Sequence, residues 1–287
     1  MAQDLPAPAP PGLIPAAVLA AVPGCECGKP PLAINALVGG GAHNDVRLVE
    51  TQVGRFVVRR RLPPVVRAGS DAALELECQR LAARHGLAPR VFAAASDASW
   101  MVMEFIASHP WQEQDLLSAA GVHRLGERLA LVHAMPVAAS MRPMDAAYIA
   151  NEQLLVINSD CALDAHRVEA AALARRTQQL ASVVQDTDVP PCINHGDLQV
   201  ANLIGNPPVL IDWEYAQIAA PTYDVACLLT YYPQLQALQP DLLAASGLTR
   251  PEDLELLGLQ KQLFACLDRL WALANNMASQ ANGLNAG

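Results

Sequence analysis

The chain has 287 residues, of which 52% are hydrophobic, and this is enough to build a large core in one large domain or two lobes. Its formal net charge is −9, with 19 Lys and Arg against 28 Asp and Glu. This balance excludes the basic surface that a nucleic-acid-binding protein needs, and it suits a small cationic substrate.

Residues 1–33 read as a Pro- and Ala-rich arm that ends in one short helix. The apolar run at 14–22 is interrupted by Pro15 and is too short to span a bilayer. Asp4 stands where a secretion signal needs positive charge. No other apolar run in the sequence approaches the length of a membrane span. We therefore predict a cytoplasmic protein with no membrane partner.

The predicted elements change in character near residue 106. Strand-like patterns dominate before this point, and helical spacing dominates after it. We expect a β-rich N-terminal lobe at 34–106 and a larger helical C-terminal lobe at 107–287. The predicted strands lie at 36–38, 46–51, 56–62 and 100–105, and the predicted helices lie at 71–85, 122–134, 163–184 and 251–277.

A β-hairpin is predicted at 202–212, because two apolar runs flank a Gly-Asn-Pro-Pro turn. With the turn centred near Pro207, the antiparallel return places Asn202 beside Asp212. An amide oxygen and a carboxylate oxygen that converge in this way suit Mg²⁺, which takes few protein oxygens and keeps positions for phosphate. The hairpin therefore predicts a magnesium site.

Asp197 lies one loop upstream of Asn202, within the sequence His-Gly-Asp. A carboxylate held there could accept a proton from an incoming hydroxyl while the metal neutralises the phosphate being transferred. Glu214 follows Asp212 by two residues. In an extended chain its side chain would face the same side and could support a second ion.

These motifs resemble a known superfamily. The His-Gly-Asp at 195–197, Asn202 and the Ile-Asp-Trp-Glu at 211–214 are similar to the catalytic loop and metal-binding segment of the choline kinase and aminoglycoside phosphotransferase superfamily. That superfamily has a protein-kinase-like α/β (α+β) fold with a small β-rich lobe and a larger helical lobe. The resemblance implies that ATP is the phosphate donor and that Mg²⁺ is the cofactor.

The resemblance also implies roles for single residues. Asp197 would be the catalytic base, and Asn202 and Asp212 would be the magnesium ligands. His195 would support the loop, and Asp224 would brace it from the start of the next helix. The Asp-Trp-Glu-Tyr-Ala at 212–216 looks closest to choline, ethanolamine and thiamine kinases.

Weaker motifs extend the resemblance over residues 34–275. The segment at 37–49 is similar to the family's Gly-rich nucleotide loop, where Gly40, Gly41 and Asn44 match and backbone N–H groups can approach phosphate. His43 stands where a Ser or Thr is expected. The motif alone is weak, and it gains weight from the catalytic motifs that follow it.

The segment FVVRRRL at 56–62 resembles the strand that carries the phosphate-pairing cation. Alternation would put Val57 over the adenine and Arg59 at the α- and β-phosphates. The implied partner of Arg59 is Glu75 on the following helix, with Glu77 as the runner-up. The segment MVMEFI resembles the hinge that contacts adenine, which is formed by Met103, Glu104, Phe105 and Ile106.

Each assignment has a simpler structural alternative. His195 is better explained as a buried structural residue than as a catalyst, because in the catalytic loop of this superfamily the Asp is the catalytic residue. Asp197, Asn202 and Asp212 could be a cap, a turn residue and a strand-end acid, but so many ordered matches disfavour that reading. Arg59 could be an exposed edge residue in a basic run.

The helical lobe offers four candidates for binding a cationic substrate. Aromatic faces favour quaternary ammonium groups, and an acid adds opposite charge. Ordinary core packing explains at least two of the four. The candidates are Tyr231, Tyr232, Asp268 and Trp271.

The sequence therefore predicts an ATP- and Mg²⁺-dependent phosphotransferase that phosphorylates a hydroxyl of a small, cationic alcohol, of the choline, ethanolamine or thiamine kinase type. An aminoglycoside or other small-molecule phosphotransferase is the alternative. A nucleotide-binding pseudokinase with a regulatory role is an alternative of another class. A protein kinase is disfavoured, because no activation segment appears between Glu214 and Pro221.

Overall fold

The computed structural model describes residues 14–37, 44–62 and 69–275. The chain divides into two compact units. The first unit comprises residues 1–64 and 89–107, and the second comprises residues 65–88 and 108–287. Within the described ranges, no helix is both long enough and apolar enough to cross a bilayer.

In its described residues, the first unit contains one short α-helix, the 3₁₀ helix Glu26–Gly28 and five strands that form an antiparallel sheet. These elements are α1 (Ala16–Leu19), β1 (Ala33–Ala36), β2 (Asn44–Thr51), β3 (Gly54–Arg61), β4 (Val91–Ala94) and β5 (Trp100–Glu104). Their order in the sheet is β1-β2-β3-β5-β4.

The core of the first unit lies on one face of this sheet. The buried residues Phe56 and Val58 are two positions apart in β3, so their side chains share that face. Val58 is paired with Val102 across the sheet, and both are fully buried. Ile14, Val18 and Val22 of the predicted arm belong to this cluster, so part of the arm packs into the core.

The second unit is mainly helical. Its helices are α2 (Ala72–Arg84), α3 (Glu113–Leu116), α4 (Ala119–His133), α5 (Ala146–Ser159), α6 (Arg167–Gln185), α7 (Thr222–Tyr231), α8 (Gln239–Ala245) and α9 (Pro251–Ala274). Four short strands form two pairs, β6 (Cys192–Asn194) with β9 (Gln217–Ala219) and β7 (Leu203–Ile204) with β8 (Val209–Leu210).

Local sequence explains these helices. Asp71 caps α2 by accepting hydrogen bonds from the backbone N–H groups of Ala73 and Leu74. Four apolar residues of α4 recur every three or four positions and face one core. They are Val122, Leu125, Leu129 and Val132, each fully buried. Helix α9 packs against α5, α6 and α7.

The predicted mixed α/β architecture, with a β-rich part and a helical part, is confirmed. The predicted helix at 163–184 is a 3₁₀ helix, Cys161–His166, followed by α6. Helix α5 and strand β4 were not predicted. Gln153 is among the buried residues of α5 and Leu155 is exposed, so its apolar residues do not form the single stripe by which an amphipathic helix is recognised. Helix α2, placed by sequence in the lobe at 34–106, groups with the second unit, where it packs against the 3₁₀ helix Trp213–Tyr215.

Candidate active site

The predicted catalytic loop follows β6 and turns at Gly196. Gly196 has a φ of +77°, in the left-handed region that favours glycine. A Cβ atom there would lie 2.1 Å from the carbonyl oxygen of Tyr215, so no side chain fits. The backbone conformation and the close neighbour together impose glycine between His195 and Asp197.

Asp224, in the first turn of α7, holds this loop through its backbone. The carboxylate is completely buried and accepts hydrogen bonds from the N–H groups of Gly196, at 2.9 Å, and His195, at 3.1 Å. The backbone N–H of Asp224 donates to Oδ1 of Asn194 at 3.2 Å. His133 of α4 places its Nε2 at 3.1 Å from Oδ2 of Asp224. A buried carboxylate with this many partners fixes the position of the loop.

His195 links the loop to the segment that precedes Asp212. Its side chain is completely buried, and its ring packs edge-on against Trp213 with the ring centroids 4.8 Å apart. Nε2 lies 2.9 Å from the carbonyl oxygen of Ile211, and Nδ1 accepts a hydrogen bond from the N–H of Asp197 at 3.3 Å. This pattern requires the proton on Nε2. These contacts fit a supporting residue.

Asp197 is partly exposed, and three side chains hold its carboxylate. Gln199 donates to Oδ1 at 3.0 Å, Tyr231 donates to Oδ1 at 3.2 Å, and Asn202 donates to Oδ2 at 2.9 Å. Burial raises the pKa of the Asp197 carboxyl and nearby Asp212 adds to the rise, whereas the Gln199 hydrogen bond and His195 oppose it. The result is a carboxylate that holds a proton more readily than an exposed Asp.

The predicted hairpin is present as β7 and β8, with Leu203 opposite Leu210. The N–H of Ile211 donates to the carbonyl oxygen of Asn202 at 3.0 Å, so Asn202 and Asp212 lie at the same end of the hairpin. Asn202 donates from Nδ2 to both the backbone oxygen and Oδ2 of Asp197, at 2.9 Å each. This orientation leaves the amide oxygen of Asn202 as the atom that could bind a cation.

The segment after the hairpin departs from the expected extended chain. Asp212 adopts a left-handed conformation with φ 61° and ψ 67°, and Trp213–Tyr215 form a 3₁₀ helix. The alternation argument that put Glu214 beside Asp212 therefore does not apply. Glu214 is only 6% exposed, and its role as a metal ligand stays a prediction. Within 14–37, 44–62 and 69–275, no group of three or more His, Cys, Asp or Glu side chains is arranged to hold a metal.

The sheet of the first unit brings several predicted nucleotide-binding residues onto one face. Val57 pairs with Met103 and Arg59 pairs with Met101 across β3 and β5, so these residues share the face opposite the Phe56 side. Arg59 is 5% exposed and therefore is not an exposed edge residue.

The other predicted nucleotide-binding residues lie in sequence near the start of β2 and near the end of β5. Asn44 begins β2 and is buried, whereas Gly40 and Gly41 lie outside the described residues. The backbone N–H of Glu104 donates to the carbonyl oxygen of Arg90 at 2.8 Å, so this predicted adenine-contacting donor is used within the sheet. The adenine contacts of Phe105 and Ile106 stay predictions.

The two candidate partners for Arg59 lie on α2 in different environments. Glu75 is 2% exposed and lies in the first turn of the helix. Glu77 is exposed and lies 3.5 Å from the hydroxyl of Ser140 in the second unit. Arg59 belongs to the first unit and α2 to the second, and the pairing of Arg59 with Glu75 or Glu77 stays a prediction.

The four predicted substrate residues have distinct contacts in the second unit. The hydroxyl of Tyr232 accepts a hydrogen bond from the N–H of Val200 at 2.8 Å. Trp271 donates from Nε1 to the hydroxyl of Tyr215 at 2.9 Å. Burial raises the pKa of the Asp268 carboxyl to about 6, and the charge of Asp197 adds to the rise. Tyr231 contacts Asp197, as described above.

Several residues around Asp197 were missed by sequence reasoning or given lesser roles. Asn194, Gln199 and Tyr215 carried no signal that separated them from ordinary polar residues. His133 contacts the carboxylate that holds the loop, and its place near the end of a predicted amphipathic helix was the available signal.

Comparison with known proteins identifies relatives over most of the chain. The sequence profile of the phosphotransferase enzyme family matches residues 36–259. No curated protein gives a significant match. A choline/ethanolamine kinase family protein from Mesorhizobium loti has a TM-score of 0.69 at 21% identity, covering 93% of this chain and 86% of that one.

Two further solved structures have the same fold. Choline kinase LicA from Streptococcus pneumoniae has a TM-score of 0.67 at 18% identity over 86% of each chain. The GDP and kanamycin complex of APH(2″)-IIia has a TM-score of 0.58 at 21% identity, over 88% of this chain and 89% of that one. The predicted kinase-like fold is thereby confirmed, and with the profile covering well over half of its length, the chain belongs to the phosphotransferase enzyme family.

Proposed function

We propose that this protein transfers the γ-phosphate of ATP to the hydroxyl of a small cationic alcohol, in a magnesium-dependent reaction. One observation carries the proposal. The carboxylate of Asp197 is held within 2.9 Å of the amide of Asn202, whose strand returns to Asp212. A proton acceptor is therefore fixed beside two oxygen ligands of the kind that Mg²⁺ prefers.

Asp197 would act on the acceptor hydroxyl. Its raised pKa, which burial causes, makes it a better proton acceptor than an exposed Asp. As the acceptor oxygen bonds to the γ-phosphorus, its O–H bond breaks and the proton passes to Asp197. The bond from the γ-phosphorus to the bridging oxygen breaks at the same time, and ADP leaves with that electron pair.

Asn202 and Asp212 would hold the magnesium ion. The amide orientation of Asn202 leaves its oxygen for a cation, and Asp212 supplies a carboxylate at the same end of the hairpin. Few protein ligands suit Mg²⁺, which keeps positions for water and phosphate oxygens. When bound, the ion would neutralise charge on the phosphate being transferred.

Residues of the first unit would bind the nucleotide. Val57, Arg59 and Met103 share one face of the sheet, and Arg59 is a buried cation suited to phosphate. LicA has been solved with AMP and APH(2″)-IIia with GDP, which supports nucleotide use in this fold.

The acceptor alcohol would be cationic, because acidic and aromatic side chains lie near Asp197. Burial raises the pKa of the Asp268 carboxyl to about 6, and this partly buried acid would offer negative charge to a cation. Trp271 and Tyr215 are joined nearby by a hydrogen bond. Anionic and aromatic groups together favour choline, ethanolamine or thiamine. Choline and ethanolamine kinases among the structural neighbours support this class, and the kanamycin complex supports aminoglycosides as the second candidate.

The test is ADP release from Mg-ATP across choline, ethanolamine, thiamine, an aminoglycoside and a simple sugar. We expect one alcohol to stimulate release. Asp197→Asn should lower kcat by about 10²- to 10⁴-fold, because it removes the proton acceptor with little change of shape. Asp188→Asn, the same change at an exposed position, is the matched control and should keep full activity.

The other outcomes separate the alternatives. Stimulation by the aminoglycoside alone would assign the protein to the second candidate class. Binding of ATP without turnover for any acceptor would favour a nucleotide-binding pseudokinase. Full activity of Asp197→Asn would show that Asp197 is not the base.

A further inference from the structure

The phenol of Tyr231, the last residue of α7, contacts the proposed base. Its hydroxyl lies 3.2 Å from Oδ1 of Asp197. An ionised carboxylate only accepts hydrogen bonds, so the phenol is the donor. Burial raises the pKa of the Tyr231 phenol, which keeps this proton in place. The sequence suggested Tyr231 as part of an aromatic substrate wall, but its hydroxyl faces the catalytic loop.

The acceptor sites of the Asp197 carboxylate can be counted. A carboxylate offers roughly four lone-pair positions, two on each oxygen. Oδ1 accepts from Gln199 at 3.0 Å and from Tyr231 at 3.2 Å, so both of its positions are used. Oδ2 accepts from Asn202 at 2.9 Å. The position that is left for an acceptor hydroxyl is on Oδ2, beside the proposed metal ligand.

The two donors to Oδ1 are not equivalent. Gln199 is exposed, so water competes with its hydrogen bond and its long side chain loses conformational freedom when it bonds. Tyr231 is half-buried, and a hydrogen bond to a charged group shielded from water is stronger. Tyr231 should therefore contribute more than Gln199 to the orientation of the carboxylate.

The ring of Tyr231 is held independently of Asp197. It packs edge-on against Phe264 of α9, with centroids 5.4 Å apart, and against Tyr232, with centroids 6.5 Å apart. Tyr232 is in turn tied to the catalytic loop through the N–H of Val200. Because packing sets the ring position, the hydroxyl is a preorganised donor rather than one that follows the carboxylate.

We infer that Tyr231 is a positioning residue for Asp197. The Tyr231 hydroxyl occupies Oδ1 of Asp197 and so leaves Oδ2 as the atom that meets the acceptor hydroxyl. This inference rests on the proposed function, because it assigns a partner to the proposed base. It adds a role that neither the motif nor the family match contains.

The test is the kinetics of Tyr231→Phe with the acceptor that stimulates ADP release. Phe keeps the ring and its packing and removes only the donor. We expect kcat to fall about tenfold, the effect of one hydrogen bond to a charged group, with the KM for ATP unchanged. Tyr223→Phe is the matched control, because Tyr223 lies on the same helix and its ring also packs on Phe264. This control should keep the wild-type kcat.

A double-mutant cycle with Asp197→Asn tests the link directly. If Tyr231 acts through Asp197, Tyr231→Phe should have little further effect on the residual rate of Asp197→Asn. The same fold loss in both backgrounds would overturn the inference, as would an unchanged kcat for Tyr231→Phe. A rise in the KM for the alcohol alone would assign Tyr231 to substrate binding instead. Full activity of Asp197→Asn would refute the proposed base, and that result is distinct from all of these.

Discussion

The predicted catalytic loop, 195–202, and the hairpin that follows it, 203–212, are adjacent in sequence but are held by different interactions. The loop is anchored by buried side chains, above all the Asp224 carboxylate with the N–H groups of His195 and Gly196. Those anchors come from other parts of the chain, 28 or 29 residues away. The Asp224 carboxylate has several partners, so the loop has few substitutes for it.

The hairpin depends mainly on backbone pairing. Leu203 and Leu210 face each other across its strands. The N–H of Trp111 donates to the Leu203 oxygen at 2.7 Å, and the N–H of Leu210 donates to the Leu87 oxygen at 2.8 Å. Side-chain clamps from Trp111 and Arg128 add to these bonds at the turn. We therefore expect single side-chain substitutions to lower stability and activity much more in the loop than in the hairpin.

Gly196→Ala should have the largest effect, since it adds a Cβ atom 2.1 Å from a backbone oxygen at a φ of +77°. We expect a loss of about 4 kcal/mol or more in the free energy of unfolding, measured by urea denaturation, together with loss of activity. Gly247→Ala is the control, because Gly247 has a φ of +74° with no neighbour within 4 Å. It should cost only about 1–2 kcal/mol, the strain of the left-handed conformation. Equal losses of unfolding free energy for the two variants would show that the close contact with Tyr215 is not what requires glycine at position 196.

Asp224→Asn should have the second-largest effect. Asn keeps one acceptor oxygen but turns an NH₂ group toward backbone N–H donors, so at least one buried donor loses its partner. We expect the free energy of unfolding to fall by about 2–3 kcal/mol and kcat to fall with it. Asp164→Asn makes the same change in an exposed ion pair with Arg167 and should be nearly neutral. If Asp224→Asn left both the free energy of unfolding and kcat unchanged, the Asp224 side chain would not be what anchors the loop.

Trp111→Phe should have the smallest effect, because it removes the 2.7 Å hydrogen bond from Nε1 to the Gly205 oxygen while the backbone pairs of the hairpin remain. We expect a loss of about 1 kcal/mol in the free energy of unfolding and little change in kcat. Trp100→Phe in the first unit, a partly exposed position, serves as the control. A fall in kcat as large as that of Asp224→Asn would contradict the contrast, since the hairpin would then depend on side chains as much as the loop does.

Much of the fold was predictable because its signals are local. The strand predicted at 56–62 corresponds to β3, the helix predicted at 122–134 corresponds to α4, and the Gly-Asn-Pro-Pro turn predicted the β7–β8 hairpin. These elements depend on alternation, helical spacing and turn residues within a few positions of one another. The fold class followed from them and from the motifs that resemble the superfamily.

Other features could not be predicted, because distant residues decide them. The 3₁₀ helix Trp213–Tyr215 replaces the extended segment assumed for Glu214, and Trp213 is completely buried there. Packing of that large ring against His195 decides the backbone, and nothing in the local sequence excludes an extended chain. The contact of α2 with the same turn likewise places this helix in the second unit.

The sequence by itself determined which functional groups are available at the candidate site, namely an Asp, an Asn and a second Asp spaced around a hairpin. Covalent order and local geometry are enough to bring these three residues together. Only the tertiary structure decided how Asp197, the proposed base, is held. Tyr231 lies 34 residues from Asp197 in the chain and reaches it because α7 packs against α9. The physical reason is range: local preferences act over one turn or one strand, whereas the partners of a carboxylate are chosen by the packing of whole helices.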